Sequence, residues 1–366
     1  MITYLLYALI ALAAIQVIYF LFFGAFAFEK TKRNKLQNVP VSVIVCAKNE
    51  SKNLKVLIPQ LLQQAYNNYE IVLINDASSD DTRDIIEEFQ KMYKNIKLVN
   101  VENNEAFWGN KKYALTLGIK AATNDYLVFT DADCVPASRS WLAEITQHFS
   151  STKTIIIGYG AYSRKKHSFL NLLIRFETLM AAIQAFSYAK LGIPYTAVGR
   201  NLAYHRSEFY KVNGFVNHIK IRSGDDDVFI KDATTGKNTA ICYSKNSFTI
   251  SQPKTSFGSW FRQKRRHVST SSHYKFIHKI LLGTFYTTQI LFWALAIFLL
   301  CTNLWIVTFG IIGIRILVQY FIVGFSASKL KEQDTLYLLP ILEVFLVIIH
   351  FGIFIANKIS KPTHWK

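Results

Sequence analysis

The chain has 366 residues, 51% of them hydrophobic, with a mean hydropathy of +0.18 and a formal net charge of +18. It is too apolar for an ordinary soluble protein and too polar for a bundle lying wholly in a membrane, so a mixed architecture is expected. The charge does not point to nucleic acid: no zinc finger, RNA-binding signature or basic zipper accompanies it, and membrane proteins collect Lys and Arg on their cytoplasmic flanks.

Thr3 to Phe28 is almost wholly apolar and long enough for a bilayer crossing, which needs roughly 20 residues. Lys30, Lys32, Arg33 and Lys35 follow at once, and no basic residue precedes the segment. Positive charge stays inside, so the N-terminus is expected outside and the next domain in the cytoplasm. Residues 1–28 therefore read as an anchor; a signal peptide would have a basic start and a shorter apolar core.

Residues 29–275 form one polar stretch. Val41 to Cys46 reads as a buried strand, followed by a helical pattern at Leu54, Leu57, Leu61 and Leu62. Glu70 to Ile74 is a second strand, Thr82 to Tyr93 a helix, and Asn95 to Val101 a third strand. Lys111 to Ala122 is a further helix, and Tyr126 to Thr130 a fourth strand. This alternation predicts an α/β fold with a largely parallel sheet and helices on both faces. Ligands of such sheets bind beyond the carboxyl ends of the strands, where Asp76 and Asp131 stand. The four cysteines (Cys46, Cys134, Cys242, Cys301) lack metal-ligand spacing and suit reduced thiols.

Residues 276–366 read as a membrane domain with spans near 281–301, 304–324 and 337–356 and a polar connection from Ser326 to Asp334. One N-terminal and three C-terminal crossings would put the C-terminus outside. Lys358, Lys361 and Lys366 favour the inside. The conflict is relieved if one C-terminal segment is re-entrant or interfacial. Arg315 and Gln319 make the middle span unusual.

Four short motifs carry the candidate chemistry. Asp76, in Asn75-Asp76-Ala77-Ser78-Ser79-Asp80, can accept hydrogen bonds from a base or ribose; the same residues also make an ordinary helix N-cap. In Asp131-Ala132-Asp133, alternation points both carboxylates to one side. Such oxygens, with substrate phosphates, hold Mg²⁺ or Mn²⁺, which neutralises a leaving diphosphate; a solvated acidic turn looks alike. In Gly224-Asp225-Asp226-Asp227, mutual repulsion raises at least one pKa, as suits a general base. Acids at a helix start give the same string. In Gln263-Lys264-Arg265-Arg266-His267, Gln263 and Arg266 share a helical face and could meet a diphosphate and an acceptor; a juxtamembrane basic belt for anionic lipid is the other reading. Lys111, after Trp108-Gly109-Asn110, is a further cation for phosphates or a solvated helix residue. In this order the motifs describe a site that holds a nucleotide diphosphate on a metal and activates an acceptor.

The order of motifs resembles that of the membrane-bound family 2 glycosyltransferases. Val41–Glu50 looks like that family's first strand and loop. Asn75-Asp76 is similar to its nucleotide-binding acidic pair, with Asn for the first Asp. Gly109-Asn-Lys111-Lys-Tyr-Ala114-Leu115 looks like its Gly-Lys-x-x-Ala-Leu segment, and Asp131-Ala-Asp133 like its metal motif. Gly199-Arg-Asn201-Leu-Ala-Tyr204 resembles its acceptor-side element, and Asp225-Asp226 falls at its catalytic acidic pair. Gln263-x-x-Arg266-His267 resembles its Gln-x-x-Arg-Trp signature; His267 replaces the Trp of many processive synthases.

The resemblance implies a GT-A-like, Rossmann-type mixed sheet with one N-terminal and about three C-terminal transmembrane helices. It implies an inverting transfer from a nucleotide-sugar, most simply a UDP-sugar, to a lipid, lipid-linked or polysaccharide acceptor at the cell membrane. Asp226, with Asp225, would be catalytic; Asp133 and Asp131 would hold Mg²⁺ or Mn²⁺; Glu50, Asp76, Lys111, Asp131, Gln263 and Arg266 would bind the donor. A polyprenyl-phosphate sugar transferase and a non-catalytic membrane scaffold or lipid-binding protein are the alternatives.

Overall fold

The computed structural model describes residues 2–30, 38–102, 111–221 and 223–360. Lys32, Arg33, Lys35, Trp108-Gly109-Asn110, Lys361 and Lys366 lie outside the described residues. In chain order the elements begin α1 (Ile2–Ala27), β1 (Val41–Ala47), α2 (Ser51–Leu62), β2 (Tyr69–Asp76), α3 (Thr82–Met92), β3 (Ile96–Val101), α4 (Lys111–Ala121) and β4 (Tyr126–Asp131). They continue β5 (Cys134–Pro136), α5 (Trp141–Thr146), β6 (Ile155–Gly158), β7 (Gly160–Tyr162), α6 (Phe169–Lys190), β8 (Leu202–His205), α7 (Arg206–Lys211) and α8 (Asp227–Ala233). The last are β9 (Thr239–Cys242), β10 (Thr249–Ser251), α9 (Phe257–Ser269), α10 (Phe276–Leu300), α11 (Trp305–Leu330) and α12 (Leu339–Ile359).

The chain forms two compact units. One groups Met1–Thr31, Lys165–Leu191 and Lys254–Pro362; the other groups Lys32–Arg164 and Gly192–Pro253. Hydropathy alone places the boundaries near residues 28 and 275, whereas the packing also draws α6 and α9 into the helical unit.

In the other unit, seven described strands form one sheet in the order β3-β2-β1-β4-β8-β6-β9. β1 pairs in parallel with β2 and β4, and β2 with β3. β8 runs antiparallel to both β4 and β6, so the sheet is mixed. A three-stranded sheet, β5-β10-β7, adjoins β4 in sequence through the Asp131–Cys134 turn. β1 is apolar almost throughout because both of its faces are covered, as in parallel strands generally. Val43 and Val45 pack in one core with Leu54, Leu57 and Leu61 of α2 and Trp141 of α5. Ile44 and Ile74 face α4, which lies so close that a Cβ on Gly118 would meet Ile74 Cδ1 at 2.2 Å.

The helical unit is built on α1, α10 and α11. α1 and α10 are antiparallel: Leu9 packs with Ala296 and Leu299, while the Tyr19 hydroxyl donates to the Leu281 carbonyl at 2.8 Å. α11 runs parallel to α1: Gln16 accepts from Arg315, and Lys329 donates to the carbonyls of Phe26 and Glu29 at 2.8 and 2.5 Å. Five described helices have the length and apolarity of a membrane span, α6 among them. Sequence reading passes over α6 because Asn171, Arg175, Glu177 and Gln184 interrupt it. All four are buried; Arg175 is paired with Glu332 and Asp334, and Glu177 with Lys264.

After α11 the chain turns back along it, the Leu336 carbonyl accepting from the Tyr320 hydroxyl at 3.0 Å, so α12 starts inside the bundle and runs to the end at which α11 finishes. It follows the end of α11 that is tied to the end of α1. Near its start, Glu343 pairs with Arg315 of α11 and accepts from Gln289 of α10 at 2.7 Å. At its far end, Arg265 of α9, just ahead of α10, donates to Asn357 Oδ1 at 3.0 Å and to the Ala356 carbonyl at 2.9 Å. Part of the basic run is therefore spent on capping a helix C-terminus, where cations are favoured.

Arg315 is fully buried and Glu343 nearly so. Glu343→Gln would leave a buried guanidinium without its counter-charge, a loss of about 3 kcal/mol in comparable buried pairs. We expect a drop of several degrees in the detergent melting midpoint, with most of it regained in an Arg315→Leu/Glu343→Leu double variant. An unchanged midpoint for Glu343→Gln would show that the pair does not hold these helices together.

Candidate active site

The sheet delivers its carboxylates where the backbone stops being strand. β2 ends on Asp76, buried beside Asn75. Asn75 donates to Asn100 Oδ1 at 2.7 Å, fixing the end of β2 against β3. The chain then turns through Ala77 at φ +47°, a costly conformation for a non-glycine residue. The turn is held from the β1 loop: Ser79 N donates to Asn49 Oδ1 at 2.8 Å, and Glu50 N to Thr82 Oγ1 at 2.9 Å. The Asp80 carboxylate accepts from the Thr82 and Ser51 amides, so it takes the capping role that sequence also allows for Asp76. Asp76 is left for another task. Burial raises its carboxyl above the usual range, with Lys48 and Lys111 drawing it back.

β4 ends on Asp131. Asp131 is half-buried, Asp133 exposed and Cys134 buried, and their ligand atoms lie within 4.8 Å of one another. Lost hydration and the charge of Asp131 raise the Asp133 carboxyl, and Glu50 adds to the effect. Two converging carboxylate oxygens fit a hard divalent cation. The Cys134 thiol is held high by burial and meets Ser251 Oγ at 2.9 Å.

Lys111 opens α4 and joins two motifs. Its ammonium lies 2.9 Å from Asp131 Oδ1 and 2.9 Å from Asp225 Oδ2. Burial would push Asp225 up, but Lys111 at this distance holds its carboxyl below the usual range. The next residue behaves oppositely. Burial, then the charges of Asp225 and Asp227, raise Asp226 to about 7. Asp226 accepts from Gly199 N at 2.9 Å and from Asp227 N at 2.7 Å, which fixes its orientation at the start of α8. Two adjacent carboxyls whose surroundings push them apart are the usual mark of a division of labour, one permanently charged and one poised to take a proton. Gly224 makes this possible: its φ is +88°, and a Cβ there would meet Val228 Cγ2 at 2.5 Å.

The sheet unit thus gathers Asp76, Lys111, Asp131, Asp133, Asp225 and Asp226, with Glu50 close enough to act on Asp133. Gln263 and Arg266 lie in the helical unit, on α9, one turn apart. Gln263 Oε1 is buried without a hydrogen-bond partner among the described residues. Asn201 proves to be a core clamp: it accepts from Trp141 Nε1 at 3.1 Å and donates to the Tyr159 and Ser247 carbonyls at 2.8 Å each.

Sequence reading missed two cations. Arg200 stacks 4.2 Å over Tyr162, donates to Ser251 Oγ at 3.1 Å and feels Asp131 and Cys134. Its place after Gly199 was the only hint. Lys112, beside Lys111, is 1% exposed and had no local signal at all.

Residues 42–219 match the family model described as glycosyl transferase family 2. Asp225–Asp227 lie beyond the matched segment. The Bacillus subtilis protein named probable glycosyltransferase YdaM is 28% identical over 246 residues, 64% of this chain and 56% of that one. The 4,4'-diaponeurosporenoate glycosyltransferase of Staphylococcus haemolyticus is 34% identical over 125 residues, 34% of this chain and 32% of that one. The chain therefore spans about half or less of the length of these relatives. Among solved structures, the Pyrobaculum calidifontis mannosyltransferase PcManGT, in complex with GDP-Man and Mn²⁺, matches with a TM-score of 0.59 at 16% identity. That match covers 95% of this chain and 99% of that one, a likeness of fold.

Proposed function

Because residues 42–219 match glycosyl transferase family 2 and the chain has a GT-A-like mixed sheet, we propose that it moves a sugar, with inversion, from a UDP-sugar to a lipid or lipid-linked hydroxyl at the membrane. The observation that carries this reading is the split between Asp225 and Asp226, joined through Lys111 to Asp131. Asp226 takes the proton of the acceptor. Asp225 stays charged and holds Lys111. Asp76 and Glu50 contact the nucleotide.

Asp131 and Asp133 offer a donor set that fits Mg²⁺ or Mn²⁺, which when bound would neutralise charge on the departing diphosphate. Orientation of the reacting groups and fixed charge supply most of the acceleration. A lipid acceptor is supported by the apolar helices and by the relative named for 4,4'-diaponeurosporenoate.

For the membrane, α1, α10 and α11 are the crossings. α6 leaves from β7 and returns to β8 of the same unit, so it cannot carry the chain across. The segment from Lys331 to Ser360 enters and leaves at one end of the bundle, so α12 within it is re-entrant. Three crossings from an outside N-terminus put the C-terminus in the cytoplasm, in accord with Lys358, Lys361 and Lys366. A reporter fused after residue 366 should be active only as a cytoplasmic fusion; activity only as an exported fusion would refute the re-entrant α12.

Detergent-purified protein should be given labelled UDP- and GDP-sugars, Mn²⁺ and a total lipid extract. One UDP-sugar should be consumed, with label entering the lipid phase. Label in a polymer would overturn the lipid acceptor. Absence of donor binding would overturn the enzyme.

A further inference from the structure

We propose that Lys112 is a positioning residue that fixes the loop delivering Asp226, without touching the substrate. The proposal rests on the reading of Asp226 as the base. Lys112 Nζ donates to the carbonyls of His218, Ile221 and Ser223 at 2.9, 2.9 and 2.7 Å. An ammonium has three hydrogens and no lone pair, so three carbonyls satisfy it completely. A cation this deeply buried is tolerated only with such partners, and the carbonyls lose theirs if it is removed.

The loop it gathers runs directly into Gly224, whose positive φ and lack of room for a Cβ set the bend before Asp225 and Asp226. The carboxylates of Asp225, Asp227 and Asp226 act on the same ammonium. Its neighbour Lys111 turns to Asp131 and Asp225. Successive residues of a helix point about 100° apart, so the first turn of α4 sends Lys111 between Asp131 and Asp225 and Lys112 to the loop that precedes Asp225. The placement of Asp226 thus depends on α4, over a separation of more than 100 residues.

The test uses full-length protein and three variants, Lys112→Met, Lys112→Arg and Lys112→Ala. Lys112→Met should retain Mn²⁺-dependent UDP affinity and donor KM within about twofold while kcat falls about 10²-fold, the scale of a small misplacement of a reacting group. The acid limb of its pH–rate profile should move to higher pH, because a cation near Asp226 is gone. Alkylammonium ions should restore part of the kcat of Lys112→Ala, and Lys112→Arg should lie between Lys112→Met and the parent. An unchanged kcat for Lys112→Met overturns the proposal. So does a parallel loss of UDP binding, which would make the lysine a general support of the fold. If the parent enzyme shows no acid limb and no turnover, the role of Asp226 fails first.

Discussion

Asp226→Asn should abolish transfer, lowering kcat by about 10³-fold, while Mn²⁺-dependent UDP-sugar binding stays intact. Gly199 N donates to Oδ2 and Asp227 N to Oδ1, so the carboxamide oxygen keeps one of the two amide hydrogen bonds, and the melting midpoint reports the cost of losing the other. What is lost is the basic oxygen. The same group sets the pH dependence. Asp226 is raised to about 7, and a base works only when ionised, so kcat/KM should fall as pH drops through about 7 and level off above it. Asp225→Asn removes the like charge that helps raise Asp226, and should carry the limb to lower pH. A phosphate acceptor needs little proton removal. If Asp226→Asn keeps most of its activity, the polyprenyl-phosphate alternative gains and the base assignment is lost.

Asp133→Ala should eliminate Mn²⁺-dependent UDP binding, read by calorimetry, and reduce turnover by 10²-fold or more, the scale of losing a preorganised electrostatic partner of the leaving group. Asp133 is the more exposed of the pair and, unlike Asp131, has no ammonium paired with it among the described residues. Its removal therefore costs little in folding, and the melting midpoint should stay close to that of the parent. Chelation should have the same effect, reversed by Mn²⁺ or Mg²⁺. Full activity after chelation would falsify the metal role of Asp131 and Asp133. A protein that never binds UDP, with or without Mn²⁺, would be a scaffold that has kept a transferase fold.

Much of the placement of these residues was legible because it follows from local rules. The apolar run of β1 and the alternation of strands and helices fix a covered, largely parallel sheet, and strand ends then locate Asp76 and Asp131. The three-acid run declares its own electrostatic conflict. The conflict does not say which acid yields. Lys111, more than 100 residues away in sequence, decides that by pairing with Asp225 and leaving Asp226 to be raised.

α6 escaped the hydropathy reading for a related reason. Its charges look like solvent-facing residues until Arg175 finds Glu332 and Asp334 and Glu177 finds Lys264. The sequence by itself carried the resemblance to family 2 glycosyltransferases, the first four strands in chain order, the two acidic strand ends and the N- and C-terminal apolar segments. Those depend on periodicity and composition, which neighbours in sequence carry. Only the tertiary structure decided which carboxylate is held low and which is raised, that Asn201 is a core clamp, that Arg265 caps α12, that α12 runs back to the end at which α11 finishes, and that Lys112 gathers the carbonyls of the loop before Gly224. Each of these is a pairing of a charge or hydrogen-bond donor with a partner far along the chain, and its energy exists only once the chain has brought the two together.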